Sequence, residues 1–403
     1  MNKSIFKTFI FAIGATILAG SLIKFPDQAL EGSVRGVNMW WEIVFPSLLP
    51  FFIVSEMLIS FGVVAFIGVL LEPLMRPLFK VPGVGGFVWA MGMASGFPSG
   101  AKWTARLRKE RQLSKIEAER LLSFTNSSNP LFIFGAVSVG FFHNPALGIV
   151  LAVAHYLGNF FVGLSMRFYG GSKPDRTEKI RTASLKNALK EMHRTRVRER
   201  RPFGKILGDA VLSSIETLLL IGGFIILFSV INKLLYIIGI TEYIAYFFQF
   251  ILALLQLSPE FSLSLISGLF EITLGSQMTS AIDNVPLMHQ AIITSFILAF
   301  SGFSVHAQVA SIVAQTDIRF APYFFARILH GLFSAIITIF VWNTLYESKQ
   351  VTELPSDTLP VTVEQGNYSG QLLDSLASIG PTITLCALIL YIFLYSRRML
   401  EKK

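Results

Sequence analysis

The sequence predicts an all-α polytopic membrane protein of about eight transmembrane helices and two re-entrant hairpins, arranged as an inverted repeat. Three observations carry that prediction. The first is composition: 53% of the 403 residues are hydrophobic and 15% are charged, against roughly 25% charged in a soluble domain. The second is the recurrence of apolar stretches near the ~20 residues that cross about 30 Å of hydrocarbon. The third is a polar, helix-breaking cluster inside two of those stretches, Thr125-Asn126-Ser127-Ser128-Asn129-Pro130 and Ser301-Gly302-Phe303-Ser304-Val305-His306. A helix broken at membrane depth frees backbone N–H and C=O groups, which are tolerated only inside protein or beside a water-filled cavity. Paired interruptions in corresponding positions of two halves point to a transporter binding site.

The expected spans fall at 5–23, 40–60, 121–142, 146–168, 209–231, 288–313, 322–345 and 378–396. Ile5 to Leu22 is apolar, but Lys24-Phe25-Pro26-Asp27 is a poor cleavage site, so the segment reads as a first span rather than a signal. Segment 63–80 carries Glu72, Pro73, Arg76 and Pro77 and reads as an interfacial helix; 234–257 fits either an interfacial helix or a span. The Gly/Ser-rich stretches 84–105 and 262–281 read as the re-entrant hairpins. Gly92 to Gly268, Phe124 to Phe300 and Ser128 to Ser304 share one shift (268 − 92 = 176), which supports an internal repeat. The resulting organisation is an N-terminal span and linker (1–39), a first repeat (40–169), a basic linker (170–208), a second repeat (209–345), an acidic loop (346–377) and a C-terminal span (378–403).

Charge orients these elements. The net charge is +9, but the basic residues sit in clusters between spans, the positive-inside pattern, and imply no nucleic-acid partner. Segment 170–206 holds twelve basic residues, from Lys173 to Lys205, and belongs in the cytoplasm against anionic lipid headgroups. The loop from Lys102 to Arg120 belongs there too. Segment 346–376, with Glu347, Glu353, Asp357, Glu364 and Asp374 against Lys349, belongs outside. Both termini are then cytoplasmic, and the span at 288–313 runs opposite to that at 121–142. The lone Cys386 excludes an intramolecular disulfide.

The breaks suggest a chemistry. Ser114-Lys115-Ile116-Glu117 is a capping box that starts a helix. Asn129 as N-cap and Pro130 as first residue would start a half-helix to Phe142, aiming free N–H groups and a positive dipole end at a carboxylate or phosphate. Asn126, Ser127 and Ser128 add donors and acceptors; the plainer reading is a proline kink. Ser95, Gly96, Phe97, Ser99 and Gly100 would form the first hairpin tip, or an ordinary turn. Gly275 and Ser276 would form the second tip, and Ser301 and Ser304 the second break. Glu271, just before that tip, would bind a proton, a driving cation or a carried metal, unless it lies at the outer interface. His306 would titrate near neutral pH or simply pack. Glu56 and Glu216 also lie in spans, coupling transport or pairing with basic neighbours. Arg319 and Arg327 flank a span and read as anchors. The sequence has no Walker loop, no metal-spaced His/Cys set and no GxSxG, so no cofactor, metal site or catalytic residue is expected, nor ATP-driven transport by this chain alone.

The strings Phe45-Pro46-Ser47-Leu48-Leu49-Pro50-Phe51-Phe52, Gly96-Phe97-Pro98-Ser99-Gly100-Ala101-Lys102 and Asn126-Ser127-Ser128-Asn129-Pro130 resemble the YlbJ-type sporulation integral membrane proteins. These belong to the nucleoside-recognition "gate" superfamily, related to concentrative nucleoside transporters. The resemblance covers nearly the whole chain. It implies a stage V sporulation role and export of dipicolinic acid from the mother cell across the outer forespore membrane. The implied partners are the lipid bilayer, the dipicolinate anion, with or without a cation, and other sporulation membrane proteins. A small planar dianion suits helix N-termini, hydroxyls and amides, and Phe97 and Phe303 could stack on its ring. Nucleosides suit aromatics and amides equally but need no positive dipole ends. A non-transporting scaffold, or an intramembrane enzyme with Glu271 and His306 as acid and base, stay open on the residues alone.

Overall fold

The chain is helical throughout, with no strand among the described residues. A computed structural model describes residues 3–171 and 184–347, all within one compact unit that runs Met1–Gln350. The expected span at 378–396, most of the acidic loop and part of the basic linker lie outside them. In chain order the α-helices are α1 (Lys3–Lys24), α2 (Pro26–Met39), α3 (Phe45–Ser60), α4 (Val63–Phe79), α5 (Val84–Ser95), α6 (Ser99–Lys109), α7 (Lys115–Thr125), α8 (Pro145–Met166), α9 (Leu185–Arg198), α10 (Phe203–Ile237), α11 (Ile240–Leu254), α12 (Phe261–Phe270), α13 (Ile272–Ser280), α14 (Leu287–Phe300), α15 (Gly302–Val313) and α16 (Phe320–Trp342). Wider π-helical turns join α2 to α3 at Trp40–Val44 and form the segment Leu131–Phe141 before α8.

Local chemistry places the boundaries. Ser114 Oγ accepts from Glu117 N, and Glu117 Oε2 accepts from Ser114 N at 2.9 Å, so the capping box starts α7 as the sequence predicts. Asn129 Oδ1 accepts from Phe132 N at 2.7 Å and starts the half-helix that follows, which is wound as π-helix. Pro26 and Pro145 open α2 and α8, where the missing N–H costs nothing.

Among the described residues, four helical segments are long and apolar enough to cross a membrane: Pro145–Met166, Phe203–Ile237, Leu287–Val313 and Phe320–Glu347. A fifth appears if Pro26–Val44 and Leu48–Ser60, bent by 56°, count as one span. The first four answer the expected spans at 146–168, 209–231, 288–313 and 322–345. The expected span at 40–60 instead straddles the bend of that pair, Trp40–Val44 ending the first limb and Leu48–Ser60 forming the second, and 121–142 is no continuous helix, being divided between α7 and the π-wound segment. Segment 63–80 forms α4. Segment 234–257 is divided between the end of α10 and α11, because Gly239 takes a left-handed φ of 84° between them.

Helix α10 serves as a depth gauge. At one end Ser213 Oγ donates to Glu56 Oε1 of α3 at 2.8 Å. Twenty residues on, Lys233 Nζ meets Glu31 Oε1 of α2 at 2.8 Å. At 1.5 Å of rise per residue these contacts lie about 30 Å apart, one hydrocarbon thickness. Between them Leu218, Ile221 and Ile225 bury against Leu48 and Phe52 of α3.

The two Gly/Ser-rich stretches each fold into a pair of helices held by glycine contacts. At the second, the chain reverses at Glu271. A Cβ on Gly275 would lie 2.1 Å from the Gly268 Cα, so only glycine lets α12 and α13 touch backbone to backbone. At the first, α5 and α6 close on the first break. A Cβ on Gly92 would lie 1.8 Å, and one on Gly100 2.3 Å, from the Thr125 carbonyl oxygen.

Candidate functional site

Both helix pairs and both breaks meet at one cavity of about 80 Å³, level with the middle of α10. Gly96, Phe97, Ser128, Asn129, Glu271, Thr273, Ser304 and Gln308 form one wall; Ile43, Val44, Leu48, Ile221 and Ile225 close it from α3, its preceding π turn and α10. Each half of the chain supplies eight of the sixteen lining residues. Five pairs of them keep the 176-residue shift: Gly96 with Ile272, Phe97 with Thr273, Ser128 with Ser304, Asn129 with Val305, and Phe132 with Gln308.

The polar wall holds groups with unused bonding capacity. Ser128 Oγ and Gln308 Oε1 are buried without a hydrogen-bond partner, which is costly unless a ligand or water meets them. Asn129 Nδ2 donates to Ser95 O at 3.3 Å, and Gln308 Nε2 reaches Ser304 Oγ at 3.5 Å. Glu271 is the only charged group lining the cavity among the described residues. Its Oε2 accepts from Leu274 N at 2.8 Å, so the chain's own carboxylate caps α13. The start of α15, at Gly302, brings first-turn N–H groups to the Ser304 side of the wall.

Two larger cavities flank this one. One, of about 650 Å³, is lined by Asp27, Glu31, Arg35 and Glu42 and shares Ile43 and Thr273 with the central cavity. The other, of about 410 Å³, is lined by Glu56, Lys102, Arg106, Lys109, Ser213 and Glu216. They lie toward opposite ends of the α10 gauge.

Several predicted residues are committed to bonds or contacts within the protein instead of the cavity. Ser99 Oγ donates to Gly96 O at 2.6 Å, Ser127 Oγ to Gly92 O at 3.3 Å, and Asn126 Nδ2 to Tyr323 OH at 2.9 Å. Gly100 clasps Thr125. Ser95 is buried behind the wall. Ser301 takes a left-handed φ of 72° and donates to Phe300 O. His306 Nε2 bonds the same carbonyl at 2.9 Å, ringed by Phe300, Phe303, Tyr323 and Phe324. Three expectations need correction. Gly275 and Ser276 are not the tip of the second hairpin: Glu271 turns the chain, Gly275 is the helix-crossing residue, and Ser276 Oγ is committed to Ile272 O at 2.8 Å. Phe303 packs among those rings and, unlike Phe97, does not line the cavity.

Arg327 is no anchor at a helix end either. It is fully buried, and it is what makes the first break tenable. Its Nη1 donates to Asn126 O at 2.7 Å, and its Nη2 donates to Ser123 O and, at 3.0 Å, to Asn159 Oδ1. Asn159 Nδ2 donates to Phe124 O at 2.6 Å, and Tyr156 OH to Ser128 O at 3.0 Å. Ser128 N donates to His155 Nε2 at 3.0 Å. The carbonyls of Ser123, Phe124, Asn126 and Ser128 at the break thus each receive a side-chain donor, and the cation sits at the negative dipole end of α7. The sequence signal was present, a basic residue inside an apolar stretch, though its proximity to the span's end obscured it. Thr273 and Gln308 were missed as well; Gln308 lies one helical turn past Ser304, a spacing that would have found it.

A family model described as Gate: Nucleoside recognition matches residues 41–160 and 218–316. The chain belongs to the Gate family. All sixteen lining residues fall within those two stretches. The chain is also similar to the sporulation integral membrane protein YlbJ of Bacillus subtilis (strain 168), 53% identical over 405 residues, covering 99% of this chain and 98% of that one. No solved structure matches.

Proposed function

We propose that this Gate protein is a secondary transporter or facilitator for a small aromatic carboxylate, dipicolinate first, exported from the mother cell across the outer forespore membrane during sporulation. The observation that carries the reading is the central cavity. It draws equally on both halves, sits at mid-depth on α10, and lies between two larger cavities at opposite ends of that helix. A scaffold would have no use for that arrangement, and the site holds no acid–base pair for an enzyme, since His306 is turned to a backbone carbonyl. The name of the B. subtilis relative supports the sporulation setting.

Several features support an inverted repeat of two re-entrant hairpins. The five lining pairs share the 176-residue shift, and the family model restarts after a near-equal interval (218 − 41 = 177). From its tip at Gly96–Pro98, α6 leads to Lys102 and Lys109 at the basic cavity. From its tip at Glu271, α13 leads to Gln277 at the opposite cavity. Two gates of opposite sense let one rearrangement close one while opening the other. The basic side is cytoplasmic on this reading, and both termini with it. Ser99 and Ser276 are too buried to report sidedness. In a Cys386→Ser background, Lys109→Cys should label from the cytoplasm and Glu31→Cys from the far side.

Glu271 faces any anionic cargo, so a proton or cation held there would neutralise the site as the anion enters. The same lone carboxylate favours a second reading, a neutral nucleoside-like solute. Proteoliposomes separate the two. Saturable dipicolinate flux, poorly competed by nucleosides, is the expected result; nucleoside flux without dipicolinate flux reverses the assignment, and no flux of either leaves a scaffold. In cells, deletion should yield spores poor in dipicolinate while the mother cell still makes it.

A further inference from the structure

In the basic cavity three donors hold one of the protein's own carboxylates. Glu56 of α3 receives Lys102 Nζ at 2.9 Å, Arg106 Nη1 at 3.0 Å and Ser213 Oγ at 2.8 Å. Three donors from α6 and α10 converge on one carboxylate from a third helix. Lys102 is fixed apart from that contact: its Nζ lies 5.0 Å from the Trp103 ring centroid and 5.6 Å from that of Phe52, and it donates to Ser213 Oγ at 3.1 Å.

We propose that Lys102 and Arg106 form a recognition site for a carboxylate of the cargo at the mouth of the pathway, with Glu56 as the internal group that cargo must displace. The inference rests on the transporter reading for the identity of the cargo. Two further facts direct it to an anion. The cavity is lined by three cations, Lys102, Arg106 and Lys109, against two carboxylates, Glu56 and Glu216. The opposite cavity is lined by Asp27, Glu31 and Glu42 against Arg35. An anion therefore meets a favourable field on one side only. The central cavity carries no basic side chain among the described residues, so the cationic selection of an anion has to be made before it is reached. The site is also mechanically placed: Lys102 follows Phe97 on the same helix pair by five residues, less than about 10 Å of helix rise. A carboxylate that takes both Lys102 and Arg106 from Glu56 releases the ion pairs that tie α6 to α3, the helix that walls the central cavity.

The test compares Glu56→Gln with Lys102→Gln in the full-length protein, with dipicolinate as probe. Ligand-dependent thermal shift in detergent gives binding, proteoliposome flux gives half-saturation, and melting without ligand reports the fold. Competition predicts opposite signs. Glu56→Gln should tighten dipicolinate binding by several-fold, and Lys102→Gln should weaken it by about tenfold. A merely structural ion pair predicts the same loss in both variants. Shifts of the same sign, or none in either, overturn the proposal. Should one variant fail to fold, the other retains its own required direction. Binding with the opposite shifts but no flux would overturn the transporter reading and uphold the site; flux without them would do the reverse.

Discussion

Four residues, Asn126 to Asn129, stand outside any helix at the first break, whereas Ser301 alone does so at the second. The first break frees the carbonyls of Ser123, Phe124, Asn126 and Ser128, and it draws on Arg327, Asn159 and Tyr156 from α8 and α16 to satisfy them. The second keeps Ser301 N on Ile297 O at 2.9 Å and meets Phe300 O with its own Ser301 and His306. Two breaks related by one shift thus reach the same cavity by different means. The difference teaches that polar residues in a broken helix answer first to the backbone. Of the eleven predicted residues in the two breaks and the first tip other than glycine, Phe97, Ser128, Asn129 and Ser304 reach the cavity.

Removing Arg327 should distinguish the breaks most sharply. Arg327→Met leaves two backbone carbonyls and the Asn159 amide oxygen without that donor, at about 1–3 kcal/mol for each buried unsatisfied group. The variant should fail to accumulate as folded protein, or melt far below wild type in detergent. His306→Phe, the nearest counterpart at the second break, should cost only about 1 kcal/mol. Equal losses would show that the imported network does not set the two apart.

Next in size come the glycine contacts, where the two halves should respond alike. Gly92→Ala and Gly275→Ala each drive a methyl into backbone within 1.8 and 2.1 Å, so the helix pairs must separate and transport should be lost. Gly223→Ala on α10 meets nothing within 4 Å and should be neutral or slightly stabilising, since alanine favours helix by about 1 kcal/mol. Flux and melting temperature measured on all three would reveal whether one helix pair tolerates opening.

At the cavity wall the effects should fall on cargo rather than on fold. Ser128→Ala and Ser304→Ala, the pair related by the 176-residue shift, should each raise half-saturating cargo about tenfold with melting little changed. Asn126→Ala should do the opposite, because its amide holds Tyr323. A melting loss at Ser128 as large as at Asn126 would return Ser128 to the backbone network.

The helices, the broken spans, the paired glycines and the cap at Asn129 were legible because each follows from local rules of periodicity, capping and close approach. Partners far along the chain were not. Arg327 and Asn126 are separated by 201 positions, and nothing local says that a basic residue near a span's end turns inward. The second tip was misplaced by four residues because Gly-Ser looks like a turn. Glu271, polar and next to Ile272, wins because its carboxylate caps α13 at no distance from its own backbone. The lateral wall from α3 and α10 carried no signal at all, since Ile221 and Ile225 look like any lipid-facing isoleucine.

The smallest effect belongs to Ser301 itself. Its φ of 72° lies where a side chain is strained and glycine is not. Ser301→Gly forfeits one hydroxyl contact to Phe300 O, but that carbonyl keeps His306. Relief of strain and loss of the contact should nearly cancel, leaving stability within about 1 kcal/mol of wild type. Gly302→Ala, one residue on at φ 69°, places a Cβ 3.1 Å from the carbonyl oxygens of Gly268 and Phe270 and should destabilise clearly. If Ser301→Gly instead melted far below wild type, the serine hydroxyl would be essential to the second break. Its economy of partners would then be an illusion, and the contrast with the Arg327 network would shrink to one of geometry alone.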